Sequence, residues 1–211
     1  MPRAIFLDRD GVLCENRSTY VKSWEEFRWL PGAREALRIL ARLDVPVVIV
    51  TNQSVINRGL TTMARVDEMH RRMTRAVHRA HGRLDAIYVC PHRPDEGCSC
   101  RKPGVRLFHQ AADDLRIDLE RAYLIGDAMA DVQAGWELKL RVILVRTGLG
   151  EQTIARLDGE AQRVDTVSDV LEAARLIQAD VRPRPTRPAW PWHRPPARQR
   201  SRVDAQGGGR G

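Results

Sequence analysis

The chain has 211 residues, enough for one domain with a well-buried core and some length to spare. It carries no apolar stretch long enough to cross a bilayer and runs into a strand without a signal-peptide pattern, so a soluble, cytoplasmic protein is expected. The formal charge of +8 suggests nucleic acid only until it is located. Eight arginines and one acid, Asp204, lie beyond Val181, leaving 27 basic and 26 acidic residues in the rest. A nearly neutral body argues against a folded surface that tracks a phosphate backbone.

Ile5-Phe6-Leu7 reads as a buried strand that empties into Asp8-Arg9-Asp10-Gly11. Residues two apart in extended chain point to one side, so Asp8 and Asp10 are expected to converge, with a hard cation such as Mg²⁺ between them. A solvated acidic loop is the plainer alternative at this point. Pro31-Gly32 then opens a helix with Ala33, Leu37, Leu40, Ala41 and Leu43 at helical spacing, and Val45 to Val50 form a second strand ending in Thr51-Asn52-Gln53-Ser54. A long helix follows Thr61-Thr62, its buried stripe expected at Met63, Val66, Met69, Met73, Ala76, Val77 and Ala80. Ala86 to Cys90 is a third strand, 105–115 a helix, Tyr123 to Ile125 a fourth strand running into Gly126-Asp127, and 132–138 a short helix. Val142 to Val145 and a weaker strand and helix over 164–177 complete the body. Strands alternating with helices predict an α/β fold: a doubly wound, mostly parallel, Rossmann-like sheet with helices on both faces and no large cap domain. The body is expected to span 1–179, and the Arg/Pro/Gly-rich segment 180–211 to be a disordered tail.

Two clusters carry chemistry. Cys90, His92, Cys98 and Cys100 offer three thiolates and one imidazole within eleven residues, a tetrahedral set suited to a structural Zn²⁺ with no open position. Cys14 lies outside that set and reads as a plain apolar residue. The second cluster is spread over four strand ends: Asp8 and Asp10, Thr51, Lys102, and Asp127 with Asp131. A carboxylate nucleophile, a second carboxylate for proton transfer, a hydroxyl, a lysine and a divalent metal are the parts of phosphoryl transfer to water. Singly, Thr51 and Lys102 read as ordinary residues and Asp131 as a helix N-terminal acid.

In order, Asp8-Arg9-Asp10-Gly11, Thr51-Asn52-Gln53, Lys102 and Gly126-Asp127 with Asp131 resemble the four signatures of the haloacid dehalogenase-like phosphatases, over residues 3–177. The resemblance implies Asp8 as nucleophile and Asp10 as general acid/base. It implies Mg²⁺ held by the Asp8 carboxylate, the Asp10 backbone carbonyl and Asp127, with Asp131 in the outer shell. Thr51 and Lys102 would grip phosphate, with Asn52, Gln53, Ser54 and Arg101 as further substrate-side residues. The Cys/His loop running into Arg101-Lys102-Pro103 resembles two small-cap groups, the D-glycero-D-manno-heptose 1,7-bisphosphate 7-phosphatases and the histidinol-phosphate phosphatases. Ser54 with Arg58-Gly59, Arg146-Thr147-Gly148, and Glu15-Asn16-Arg17 with Tyr20-Val21 are more similar to the first. Gly104-Val105-Arg106 and Ala128 depart from its pattern. The expected partner is a small phosphorylated substrate met by a monomer. A reading of another class, a zinc-stabilised nucleic-acid-binding module working through the basic tail with Trp190 and Trp192, leaves the four strand ends unexplained.

Overall fold

Short runs rich in Val, Ile and Leu suit strands covered on both faces, and six of them pair into a single sheet. In the computed structural model, which describes residues 3–181, these are β1 (Ile5–Leu7), β2 (Val47–Asn52), β3 (Ala86–Cys90), β4 (Tyr123–Gly126), β5 (Arg141–Val145) and β6 (Asp165–Val167). The sheet order is β3-β2-β1-β4-β5-β6 and every neighbouring pair is parallel. Six helices connect the strands: α1 (Ala33–Leu40), α2 (Met63–Arg79), α3 (Arg106–Leu115), α4 (Met129–Glu137), α5 (Gly150–Leu157) and α6 (Val170–Asp180). Alternate strand residues feed opposite cores. Ile5, Leu7, Val47, Ile49 and Ile125 pack with α1, α2 and α6, while Phe6, Val48, Val50 and Leu124 pack with α3 and Ala134 of α4. The doubly wound α/β sheet expected from the sequence is therefore the observed one.

Local differences have local causes. β2 continues through Thr51 and Asn52 because β3 pairs with it as far as Asn52 opposite Cys90. α4 starts three residues earlier than its apolar pattern, since Asp131 reaches back to accept from the Ala128 N–H at 3.1 Å and so caps the first turn. Met63 is exposed, not core: it is the first residue of α2, directly after the capping Thr62, and the buried stripe begins at Val66. α5 was not expected, since Gly148-Leu149-Gly150 reads as loop.

No domain is inserted among the described residues. The rim at the strands' carboxyl ends is overhung by loops 8–32, 53–62 and 91–105. Asp180 closes α6 and Val181 packs on the core. The expected tail beyond it, with Trp190 and Trp192, lies outside the described residues. Among the described residues no helix is long and apolar enough to cross a membrane.

Candidate active site

The chain winds from β1 outward to β3, then returns to β4 on the other side of β1 and winds out to β6. The strand order reverses between β1 and β4, and open α/β sheets bind ligands in the crevice at that point. Leu7 lies opposite Ile125, so Asp8 comes level with Gly126 and Asp127 follows one residue further along the neighbouring strand. The carboxylates of Asp8, Asp127 and Asp131 lie within 4.8 Å of one another, forming a group able to hold a metal ion. Asp127 and Asp131 are each 1% exposed.

One cation contacts two of these three acids. The Lys102 ammonium donates to Asp8 Oδ1 at 2.7 Å and lies 2.6 Å from Asp131 Oδ1. The second contact is an ion pair outside hydrogen-bonding angles, so Asp131 Oδ1 has no hydrogen-bond donor. Burial pushes the Asp8 carboxyl up to about 6, with Lys102 opposing and Asp131 and Asp10 adding to the rise. Burial, then Asp8 and Asp131, push Asp127 up to about 8, although Leu149 N–H donates to its Oδ2 at 2.8 Å. Lys102 is held charged against its burial by Asp131 and Asp8. A pocket with a surplus of buried negative charge and an oxygen-only donor set fits a hard dication.

The backbone is pressed tightly around this pocket. A side chain at Gly11 or at Gly148, both in the left-handed region, would run into the Asp127 carboxylate. Lys102 is fixed from behind by Asn52, whose side chain accepts from Lys102 N–H at 3.0 Å and donates to its carbonyl at 3.1 Å. Asn52 thus contacts the lysine's backbone. Ser54 is buried on the turn that follows, and Arg101 donates to the His92 carbonyl at 3.2 Å without an ion pair among the described residues.

Asp10 does not join Asp8, which corrects the expected convergence of the two side chains on one metal. The chain turns at Gly11 (φ +85), and the cation beside Asp10 is Arg9. Arg9 is fully buried and puts Nη2 2.8 Å from both Asp10 oxygens. Gln53 Nε2 donates to Asp10 Oδ2 at 2.7 Å and to Thr51 Oγ1 at 2.9 Å, and Cys14 Sγ to Asp10 Oδ1 at 3.3 Å. Burial would raise Asp10, but Arg9 and these hydrogen bonds outweigh it and hold the carboxyl below its usual range. Because Thr51 accepts from Gln53, its own hydroxyl hydrogen stays free for a ligand oxygen. Sequence reasoning read Cys14 as a plain apolar residue, where it donates to Asp10, and passed over Arg9 and also His70, whose Nε2 lies 3.0 Å from Arg9 Nη1. His70 follows Val66 by four residues and precedes Met73 by three, so its place on the buried stripe was readable from spacing.

The four Cys/His ligands come together as expected. Cys90 Sγ lies 3.3 Å from Cys100 Sγ, 3.7 Å from Cys98 Sγ and 3.5 Å from His92 Nδ1, and His92 Nδ1 lies 3.2 Å from Cys100 Sγ. A tetrahedron with metal–sulfur bonds of about 2.3 Å and metal–nitrogen bonds of about 2.0 Å has edges of roughly 3.5–3.8 Å, so this set is close to the size of a metal site.

A doubly wound parallel sheet with three carboxylates and a lysine at its switch point defines a phosphoryl-transfer hydrolase of the haloacid dehalogenase-like (HAD) class. The HAD-hydrolase-like family model matches residues 99–174. The D-glycero-beta-D-manno-heptose-1,7-bisphosphate 7-phosphatase of Bordetella bronchiseptica is 40% identical over 154 residues, 73% of this chain and 86% of the relative. The enzyme of the same name from Pseudomonas putida is 36% identical, over 73% of this chain and 88% of the relative. The crystal structure of the B. bronchiseptica D,D-heptose 1,7-bisphosphate phosphatase complexed with magnesium and phosphate superposes with a TM-score of 0.80 at 36% identity, covering 84% of this chain and 99% of that one. The corresponding enzyme from Burkholderia thailandensis gives a TM-score of 0.65 at 33% identity, covering 83% and 97%. The chain belongs to the HAD-like hydrolase family, and it is a phosphatase.

Proposed function

We propose that this phosphatase removes the 7-phosphate of D-glycero-D-manno-heptose 1,7-bisphosphate through an aspartyl-phosphate on Asp8. The observation that carries the reading is the meeting of Asp8, Asp127, Asp131 and Lys102 at the switch point, in a chain that matches relatives of that activity over most of their length. Asp8, Asp127 and the Asp10 carbonyl would hold Mg²⁺, with Asp131 behind them, and the bound ion would offset negative charge on the phosphoryl oxygens. Lys102 and the free Thr51 hydroxyl hold the remaining phosphate oxygens, Lys102 letting go of part of its contact with Asp8 as the phosphate enters.

Attack of an Asp8 oxygen on phosphorus forms the acyl phosphate and breaks the bond to the sugar oxygen, which takes a proton from Asp10. The Asp10 carboxylate then removes a proton from water as the water oxygen attacks phosphorus. Phosphate leaves, and Asp8 returns to its carboxylate. The ion-paired Asp10 of the structure is the form this second step uses.

Beside Lys102 lies a cavity of about 390 Å³ lined by Arg93, Cys98, Arg101 and Pro103 among others. Arg101, with no acid paired to it, suits a second phosphate there. In the 14–22 loop, the Tyr20 ring has Arg58 stacked over it at 5.8 Å. Zn²⁺ in the Cys/His cluster would set the loop that delivers Arg101 and Lys102. A thiolate site of this kind suits the reducing cytoplasm, and one chain supplies every group named, so a monomer is the working unit. The catalytic unit runs through Val181, two residues past the expected boundary at 179.

The test is phosphate release with Mg²⁺ from heptose 1,7-bisphosphate, fructose 1,6-bisphosphate and histidinol phosphate, with Asp8→Asn as blank. A preference for the heptose at kcat/KM above ~10⁴ M⁻¹s⁻¹ is the expected result. Preference for histidinol phosphate overturns the substrate, and no turnover above the blank overturns the chemistry.

A further inference from the structure

We infer that His70 is a positioning residue for the reaction: through Arg9 it fixes the orientation in which Asp10 exchanges its proton with the leaving group. The inference rests on the proposed acid/base role of Asp10 and adds to it a device on a different element.

Arg9 follows the end of β1 and lies wholly buried against His70 of α2. Its guanidinium reaches three partners. Nε and Nη2 grip Asp10, at 3.2 and 2.8 Å to Oδ1 and 2.8 Å to Oδ2. Nη2 also donates to Gln53 Oε1 at 2.9 Å, and Nη1 faces His70 Nε2 at 3.0 Å. An arginine in a protein only donates, so the polarity of the whole network is fixed. His70 Nε2 must accept, which makes the imidazole neutral with its hydrogen on Nδ1. Gln53 must turn its oxygen to Arg9 and its nitrogen to Asp10. No member can flip without leaving a buried donor facing another donor.

Accessibility runs one way along this chain of contacts. Arg9, Gln53 and His70 are 0%, 3% and 6% exposed, whereas the Asp10 side chain is 22% exposed. The network therefore leads from the rigid middle of α2 to a single carboxylate open to the rim. His70 is the far anchor. With its acceptor removed, the Nη1 edge has nothing to hold it and the fork on Asp10 is free to rotate. Misplacement of a catalytic group by about 1 Å costs on the order of 10²-fold in rate.

A positioning role differs from a purely structural one in its dependence on the leaving group. Proton donation matters for a basic leaving oxygen and little for an acidic one. The experiment compares wild type, His70→Phe and His70→Gln on phenyl phosphate and p-nitrophenyl phosphate with Mg²⁺, folding being checked by circular dichroism and melting. His70→Phe removes the acceptor, and His70→Gln restores one. If His70→Phe does not fold, His70→Leu takes its place. The expected result is a fall in kcat/KM, which reports the step that expels the leaving group and not the later hydrolysis both esters share, of about 10–100-fold for phenyl phosphate, a fall of less than about 3-fold for the nitrophenyl ester, and recovery in His70→Gln. An equal loss of kcat/KM on both esters, an unchanged kcat/KM, or no recovery overturns the inference while leaving the phosphatase reading intact. If wild type turns over neither ester, or Asp8→Asn still turns them over, the parent reading falls and this one with it.

Discussion

Asp8 and Asp10 are two residues apart yet lie in pockets built on opposite electrostatic plans. Around Asp8 three clustered carboxylates have one ammonium, paired with Asp8 and Asp131 but not with Asp127, and both Asp8 and Asp127 are pushed toward protonation. Around Asp10 one carboxylate meets a fully buried guanidinium, an amide and a thiol, and is held ionised. The first pocket is incomplete until something positive enters it. The second is complete as folded, and its contribution is rigidity. One short loop thus supplies a place for ligands and a fixed carboxylate, the proton carrier of the proposed mechanism, and the residue between them is Arg9.

The sharpest way to break this contrast is to remove one acid from each pocket. Asp8→Asn is expected to cut kcat by on the order of 10⁴-fold or more, the scale of losing a nucleophile, in a phosphate-release assay. Asp10→Asn leaves Arg9 buried without its charge partner and should destabilise the fold by about 3–5 kcal/mol in urea titration. Asp127→Asn should do the reverse in metal-free protein at pH 8, raising stability by about 1–3 kcal/mol, because it relieves like-charge repulsion without losing an ion pair. If both substitutions shift stability in the same direction, the two-pocket description fails.

The dependence on pH follows from the same charges. Asp8 and Asp127 keep their protons in the folded chain to about pH 6 and 8, whereas in the unfolded chain they release them near pH 4. Between those limits the folded state binds more protons, so the metal-free protein loses stability as pH rises. Mg²⁺ competes with those protons. The rise in melting temperature on adding Mg²⁺ should therefore be larger at pH 8 than at pH 5, and an equal rise at both would contradict the assignment. The smallest effect is expected at the cavity beside Lys102. Arg101→Ala should raise KM for a bisphosphate about 10-fold and leave a monophosphate nearly unchanged in steady-state kinetics.

What was legible in the sequence had a periodic or a spacing signal. The strands announced themselves as apolar runs with polar ends, and placing those ends on one rim brought Asp8, Lys102, Asp127 and Asp131 together before any coordinates. The Cys/His set was legible because its ligands are near neighbours in the chain. What escaped depended on side chains choosing a side. Asp10 parts from Asp8 because Arg9, Gln53 and Cys14 hold its carboxylate, and alternation along an ideal strand does not foresee that. No spacing signal marks Arg9 as buried, and only its packing against α2 shows it. α5 escaped because a glycine opens it and another stands two residues earlier, and Met63 was misplaced because a stripe does not say where a helix begins.

The pairing of β1 with β4 has a consequence for ion choice. The two carboxylates proposed to hold Mg²⁺ follow neighbouring strands whose register sets Leu7 beside Ile125, so Asp8 is level with Gly126 and Asp127 lies one residue beyond. The gap between their origins is thus set by the sheet's spacing of about 4.8 Å and one residue's rise of about 3.3 Å. Mg²⁺ takes oxygens at 2.0–2.1 Å and Ca²⁺ at 2.3–2.6 Å in larger shells. With Gly11 and Gly148 already in contact range of Asp127, a larger ion has no backbone that can retreat. The sheet therefore acts as a gauge, and discrimination by ionic radius comes with the fold.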